Sequence, residues 1–341
     1  MNHKNNTVIQ TIRKGEVDLL NSINSFPSYE KAKATGECSS EILIECIHSS
    51  QTPYSPWIYF AYYKIGSWLM SGEANQHNSI YELVKDVKES VNKSASTTKD
   101  MSKFCAYGDP QIASSLLWQS VLKLFQDGGD FIDDLEAPTE SLLAHWQQGI
   151  TTAHTLIHRV DNELSNLMEQ LQRLLILAQP GPLARAEGVS FGGATCFFFR
   201  GATVINASRS LSIVEIIEKL VHEYAHAELF VLGQDQPLCL NNDDERHQVL
   251  IRSDPRPMNG ILHSLYVTGR VAELLNRLLA DGLNDIPHRD SIIIEANSML
   301  EQQLSFGQSS LEQVQQHAEL TQIGNTVVAD SRRRLETAKN A

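Results

Sequence analysis

The sequence predicts a mainly α protein of the α+β class: a helical domain with a short antiparallel β element packed beside a helix bearing an H-E-x-x-H motif. Three observations lead there. Apolar residues recur at spacings of three and four along most of the 341 residues, the period of an amphipathic helix. One stretch, VSFGGATCFFFRGATVINASRS, breaks that texture with β-branched and aromatic residues punctuated by Gly192, Gly193 and Gly201, which is strand–turn–strand chemistry. The third observation is LVHEYAHAELF, residues 220–230, where two histidines stand four apart with a glutamate directly after the first.

The elements follow in order. Apolar spacing predicts helices over 8–24, 39–49, 55–73, 78–93 and 110–126. The small, polar run VNKSASTTKDMSKFCAYGDP predicts a loop, and DGGDFIDDLEAPTE a second. The longest helix is expected over 139–179, stopped by the proline and glycine of QPGP. Helices resume at Ser212 and run to about 232, then over 258–281, 289–304 and 308–338. Residues 1–135 form a helical N-terminal region with no chemical motif, and 136–341 a metal-binding region; one continuous domain is the alternative.

Composition narrows the function classes. A hydrophobic fraction of 42% provides for a sizeable core. The net charge of −13 disfavours a nucleic-acid or anionic-membrane surface, which needs clustered Lys and Arg. The five cysteines (Cys38, Cys46, Cys105, Cys196, Cys239) are odd in number, scattered and free of any C-x-x-C pair, so a thiolate zinc site is not expected and a reducing compartment is. The start, MNHKNNTVIQ, lacks the apolar core of a signal peptide. SPWIYFAYYKIGSWLM is too short and too polar to span a bilayer, and reads as a core helix. The expected setting is the cytoplasm.

The histidine helix opens at SIVE, where Ser212 can cap and Glu215 can reach back to complete a capping box. At 100° per residue His222 and His226 lie about 40° apart around the axis, one turn apart along it, so both imidazoles can reach one ion. Glu223 stands beside them and can point to the ion's open side. The bland reading is an amphipathic surface helix with two exposed histidines. The apolar continuation through Leu229, Phe230, Val231 and Leu232 argues that the helix end is buried, where histidines need partners. A comparable pair, His154 and His158 in HTLIH, has no acid between its members and reads as structural.

A catalytic metal calls for a third protein ligand. The pattern that adds G-x-x-H does not apply, because Leu229 and Leu232 occupy those places. Glu245 in NNDDERH, Glu273 in RVAELL and His263 in RPMNGILHSLY are the candidates, and His263 is favoured. Helical spacing sets Asn259, His263, Tyr266 and Arg270 on one stripe, a polar line in an otherwise apolar helix. His247 is expected in solvent, and Asp243, Asp244 and Glu245 on a solvated loop face.

GGATCFFFRGATVINASRSLSIVEIIEKLVHEYAHAELF followed by SDPRPMNGILHSLYVTGRVAELL resembles the family of HExxH-motif peptide-modification proteins, over about residues 140–300 and most specifically at HEYAH and RPMNGILH. Members of that family are iron(II)- and 2-oxoglutarate-dependent peptide β-hydroxylases encoded beside ribosomally made precursor peptides. The resemblance implies His222, His226 and His263 as iron ligands, a ribosomal precursor peptide as partner, and aspartate as the first residue to try as the hydroxylation target.

The chemistry can be set beside that implication. Iron(II) takes six ligands, so three from the protein leave two positions for 2-oxoglutarate and one for O₂. Most such oxygenases use two histidines and one carboxylate, a rule from which three histidines depart. The far carboxylate of 2-oxoglutarate calls for a cation, best a bidentate arginine. Spacing on the helix points to Arg270 and the resemblance to Arg256; Tyr266 can donate to the same carboxylate. Glu223 would orient ligands or bind substrate in an oxygenase. The alternatives are a zinc metallopeptidase with Glu223 as general base and a non-catalytic peptide-binding protein. ATCFFFR can offer an edge to which a peptide adds as a strand, or it can be a buried hairpin.

Overall fold

The computed structural model describes residues 2–24, 39–49, 54–71, 77–96, 103–126, 134–189, 191–251, 254–283, 286 and 288–340. It is mainly α with a small mixed sheet, the α+β class. The chain divides into two compact units: Met1–Ala144 with Glu169–Ser210, and His145–Met168 with Leu211–Ala341. Each unit takes two separate pieces of chain, where the sequence reading drew one boundary near residue 135.

The first unit begins with four helices: α1 (Asn2–Asn24), α2 (Ser39–Ser49), α3 (Pro56–Ser71) and α4 (His77–Ser96). Then come β1 (Lys103–Ala106), α5 (Ser115–Gln126) and the two-residue β2 (Leu135–Glu136). The chain continues as α6 (Glu140–Val160), α7 (Asn162–Leu171), β3 (Leu174–Pro180), α8 (Pro182–Ala186), β4 (Gly193–Thr195) and β5 (Ala202–Asn206). The sheet order is β1-β3-β5-β4. β3 pairs in parallel with β1 and β5, β4 is antiparallel to β5, and β2 is antiparallel to the end of β3.

Three expectations are corrected here. The helix foreseen over 139–179 is three elements. Asp161 accepts a bond from the Leu164 backbone N–H and caps α7, which divides α6 from α7. Beyond Leu171, LLILAQP is a central parallel strand, buried on both faces except at Gln179. Such a strand shows no alternation, so an apolar run joined to a helix reads as more helix. The two expected loops contain β1 and β2, strands too short to display a period. ATCFFFR is not one strand: β4 ends at Thr195 and Phe197–Phe199 form a 3-10 turn. Phe199 is buried against Trp57 and Phe60, with centroids 4.9 and 5.8 Å away. Phe198 is 44% exposed, so the turn sends neighbouring phenylalanines to different environments. The β element is therefore mixed and parallel at its centre. It belongs to the first unit, and the HEYAH helix to the second.

The second unit contains α9 (Ile213–Leu232), α10 (Met258–Arg277), α11 (Arg289–His317) and α12 (Gln322–Lys339), together with most of α6 and α7. α10 is its centre and packs on α9, α11 and α12. A π-helical turn, Leu278–Gly282, ends α10. The expected break near residue 305 is absent. α11 runs through Gly307, where an added Cβ would lie 2.6 Å from Leu335 Cδ2, so this glycine lets α12 approach. The break falls at Ala318–Thr321 instead, where the Thr321 hydroxyl accepts from Gly324 N–H and caps α12. Among the described residues no helix is long and apolar enough to cross a membrane.

Candidate metal centre

α9 is set up locally as the sequence predicts. Ser212 Oγ accepts from Glu215 N–H at 3.1 Å, and Glu215 Oε2 accepts from Ser212 N–H at 2.9 Å. Glu295 of α11 also binds the Ser212 hydroxyl, tying the cap to the bundle. The helix buries Val214, Ile217, Leu220, Val221, Tyr224 and Leu229, and leaves His222, His226 and Phe230 partly exposed along one line. Those three residues recur every four positions, one turn above another.

α10 brings its own histidine to this line. His226 Nδ1 and His263 Nδ1 stand 3.3 Å apart. The ring centroids are 5.1 Å apart for His222 and His226, and 5.6 Å for His226 and His263. Phe230 packs on His263 at 5.4 Å and forms an apolar shoulder to the cluster. His222 turns Nδ1 to Glu218 Oε1, 3.2 Å away and one turn earlier on α9.

Electrostatics favour neutral rings and one charged support. Burial, followed by the proximity of His222 and His263, holds His226 well below the usual histidine range. Burial lowers His263 to about 4. Both are therefore neutral near pH 7, the state in which a ring nitrogen can donate a lone pair. For Glu218, burial opposes ionisation, but the bond and charge of His222 and the ammonium of Lys219 outweigh it and draw the carboxyl down to about 2. With Glu218 accepting from Nδ1–H, Nε2 is the His222 nitrogen that carries the lone pair once the ring gives up its second proton.

Two of these residues, His226 and His263, have the spacing and donor chemistry to share one ion. Two nitrogens each about 2.1 Å from one ion stand about 3.0 Å apart at a right angle and about 3.4 Å at the tetrahedral angle. The His226–His263 separation of 3.3 Å lies in that span. As the side chains stand, no three of His, Cys, Asp and Glu among the described residues surround one point. Two donors converge, and the third ring, His222, faces Glu218.

The other expected site residues are placed differently. Arg270 and Tyr266 already meet a carboxylate, that of Glu228 two residues beyond His226. Arg270 Nε donates to Glu228 Oε2 at 2.9 Å and Nη2 grips both carboxylate oxygens. Tyr266 is buried and hydrogen-bonded to the same Glu228. Glu273, an alternative third ligand, lies in this network: its carboxylate meets Arg270, Arg277 at 3.1 Å and Arg334 at 3.2 Å. Glu245 is exposed in its loop. Arg256 pairs through Nε with Asp254 at 2.9 Å, and its backbone bridges to His247. Glu223 is buried, at 3% exposure.

The remaining histidines are placed as follows. His247 is not simply solvated: its ring stacks on His317 at 4.7 Å. His154 is buried and His158 exposed, so that pair does not share an environment. The buried network of Glu228, Glu273, Asp330, Arg270 and Arg334 went unforeseen, because Arg334 of α12 lies some sixty residues from Glu273, the α10 acid that it meets. Its one local sign is Glu228 itself, an acid on an otherwise apolar helix end. No known family model matches this chain, and no curated protein matches it.

Proposed function

We propose that this chain is an iron(II)- and 2-oxoglutarate-dependent peptide β-hydroxylase whose metal is held by His222, His226 and His263, and whose substrate is a residue, aspartate first, of a ribosomally made precursor peptide. The observation that carries the metal reading is the convergence of His226 and His263, from two different helices, at 3.3 Å between ring nitrogens. Neutral rings and the ionised Glu218 behind His222 support it. The peptide chemistry rests on the resemblance of HEYAH and RPMNGILH. A cytoplasmic setting is supported by Cys46, Cys105, Cys196 and Cys239, none of which is in a disulfide among the described residues.

The residues divide the work as follows. The three imidazoles would hold iron(II), which would supply oxygen activation. Glu218 orients His222 and raises the basicity of its free nitrogen. Phe230 shields one side of His263. Arg270 is committed to Glu228 and does not fit the far carboxylate of 2-oxoglutarate. Arg256 fits better: its partner Asp254 is 57% exposed, and such a surface pair exchanges one carboxylate for another at small cost. Glu223 is buried, which suits a supporting role better than that of a base reaching a metal-bound water in a zinc peptidase.

The test is metal analysis of anaerobically purified protein, melting with and without 2-oxoglutarate, and mass spectrometry of a co-expressed precursor peptide. Iron content, a 2-oxoglutarate-dependent rise in Tm and the gain of one oxygen atom are the expected results. His263→Ala should lose metal and Glu223→Gln should keep it. Zinc retained with no response to 2-oxoglutarate would point to the peptidase. Peptide binding without oxygen transfer under reducing, iron-replete conditions would leave a binding protein.

A further inference from the structure

The contact between α9 and α10 is gripped on both flanks. At 100° per residue, His226 and Glu228 lie roughly 200° apart around α9. His263 and Arg270, seven residues apart on one stripe of α10, meet them one on each side. The first flank is the partly exposed histidine line. The second is buried: Arg270 forks onto Glu228, lies 5.8 Å from the Tyr224 ring centroid and 6.0 Å from that of Tyr266, and touches Glu273. Arg334 of α12 lies 5.0 Å from the centroid of the Tyr266 ring and binds Asp330 at 2.6 Å, so the second flank is anchored to a third helix.

We infer that Glu228 and Arg270 are positioning residues for the His226–His263 pair: their bidentate bridge fixes the roll of α9 against α10 and so the distance between the two ring nitrogens. This rests on the metal reading above for its purpose, but not for its geometry. A ring nitrogen lies about 6 Å from its helix axis, so a roll of about 10° moves it by about 1 Å. Ligand constellations tolerate about 0.5 Å. Helix packing by shape alone allows rolls of that size, whereas a planar fork on a buried carboxylate does not. Tyr224, Tyr266 and the Glu228 carboxylate are buried, and little water competes for the bridge, which keeps it strong.

The experiment compares full-length wild type with Arg270→Lys, Glu228→Gln and the double variant Glu228→Gln with Arg270→Met. Single variants leave a buried partner unmatched and lower Tm; the double variant removes both charges and recovers it, as replaced buried pairs do. Cobalt(II) titration then reads the centre through affinity and the visible absorption of the bound ion. The expected result is a Kd at least tenfold weaker, with a shifted spectrum, in Arg270→Lys and also in the double variant despite its recovered Tm. An affinity that recovers together with Tm would make the bridge merely structural and overturn the inference. Should wild type bind no cobalt, the metal reading fails separately. The inference is then judged on the ring ¹⁵N signals of His226 and His263 in the metal-free protein. Displaced signals in the double variant support it, and unchanged signals overturn it.

Discussion

Glu218 and His222, one turn apart on α9, are joined from carboxylate Oε1 to ring Nδ1 at 3.2 Å. The bond fixes which nitrogen of His222 keeps its lone pair. It also sets a carboxylate behind the ring, one that the bond and charge of His222 and the ammonium of Lys219 hold well below the usual carboxyl range. Removing such a partner costs about tenfold to a hundredfold in metal affinity. Glu218→Gln, which keeps an acceptor and loses the charge, should fall near the lower figure, and Glu218→Ala near the upper. Cobalt(II) or zinc titration measures both, and wild-type affinity in Glu218→Ala would remove Glu218 from the centre.

His154 gives stability a pH dependence of known sign. Burial lowers its pKa to about 4, against about 6.5 in the unfolded chain. Between those values the unfolded state binds a proton that the folded state does not. Stability from this group is therefore fully present above about pH 6.5, is lost as pH falls towards 4, and changes little below that. The loss totals about 3 kcal/mol. Denaturant titrations across that range should show His154→Leu with a shallower decline than wild type; parallel curves would refute the assignment.

Gly324 and Gly307 should respond differently to alanine. A Cβ on Gly324 would stand 2.0 Å from the Leu238 carbonyl oxygen, a backbone atom tied to Thr321 N–H. A Cβ on Gly307 meets the methyl ends of Leu335, which can turn aside. Gly324→Ala should destabilise by about 1–3 kcal/mol or more. Gly307→Ala should cost less, partly offset by the better helix propensity of alanine. Thermal melting of the two variants gives the comparison.

Ser212→Ala removes the cap of α9 and its bond to Glu295. A loss of about 1–2 kcal/mol is expected, with Ser212→Thr retaining most of it. Chemical denaturation measures the difference, and an alanine variant as stable as wild type would show that the box carries no weight.

The sequence made the histidine helix legible because everything needed there is local. The spacing of His222 and His226, the capping box of Ser212 and Glu215, and the buried face through Leu220 and Tyr224 all follow from 3.6 residues per turn. His263 was legible at one remove, as a polar residue on the buried-helix stripe that it shares with Arg270. The same stripe misled about Arg270 and Tyr266: periodicity sets a side chain on a face, but not what lies opposite.

By itself, then, the order of residues settled the helical class, the cap, and two imidazoles one turn apart on α9. Tertiary packing alone decided that His226 meets His263, that Glu228 claims Arg270, and that LLILAQP is a strand between β1 and β5. The physical reason is range. A helix's bonds and side-chain rows close within four residues, whereas a buried ion pair or a parallel strand pair joins residues tens of positions apart, and only the folded chain brings them together.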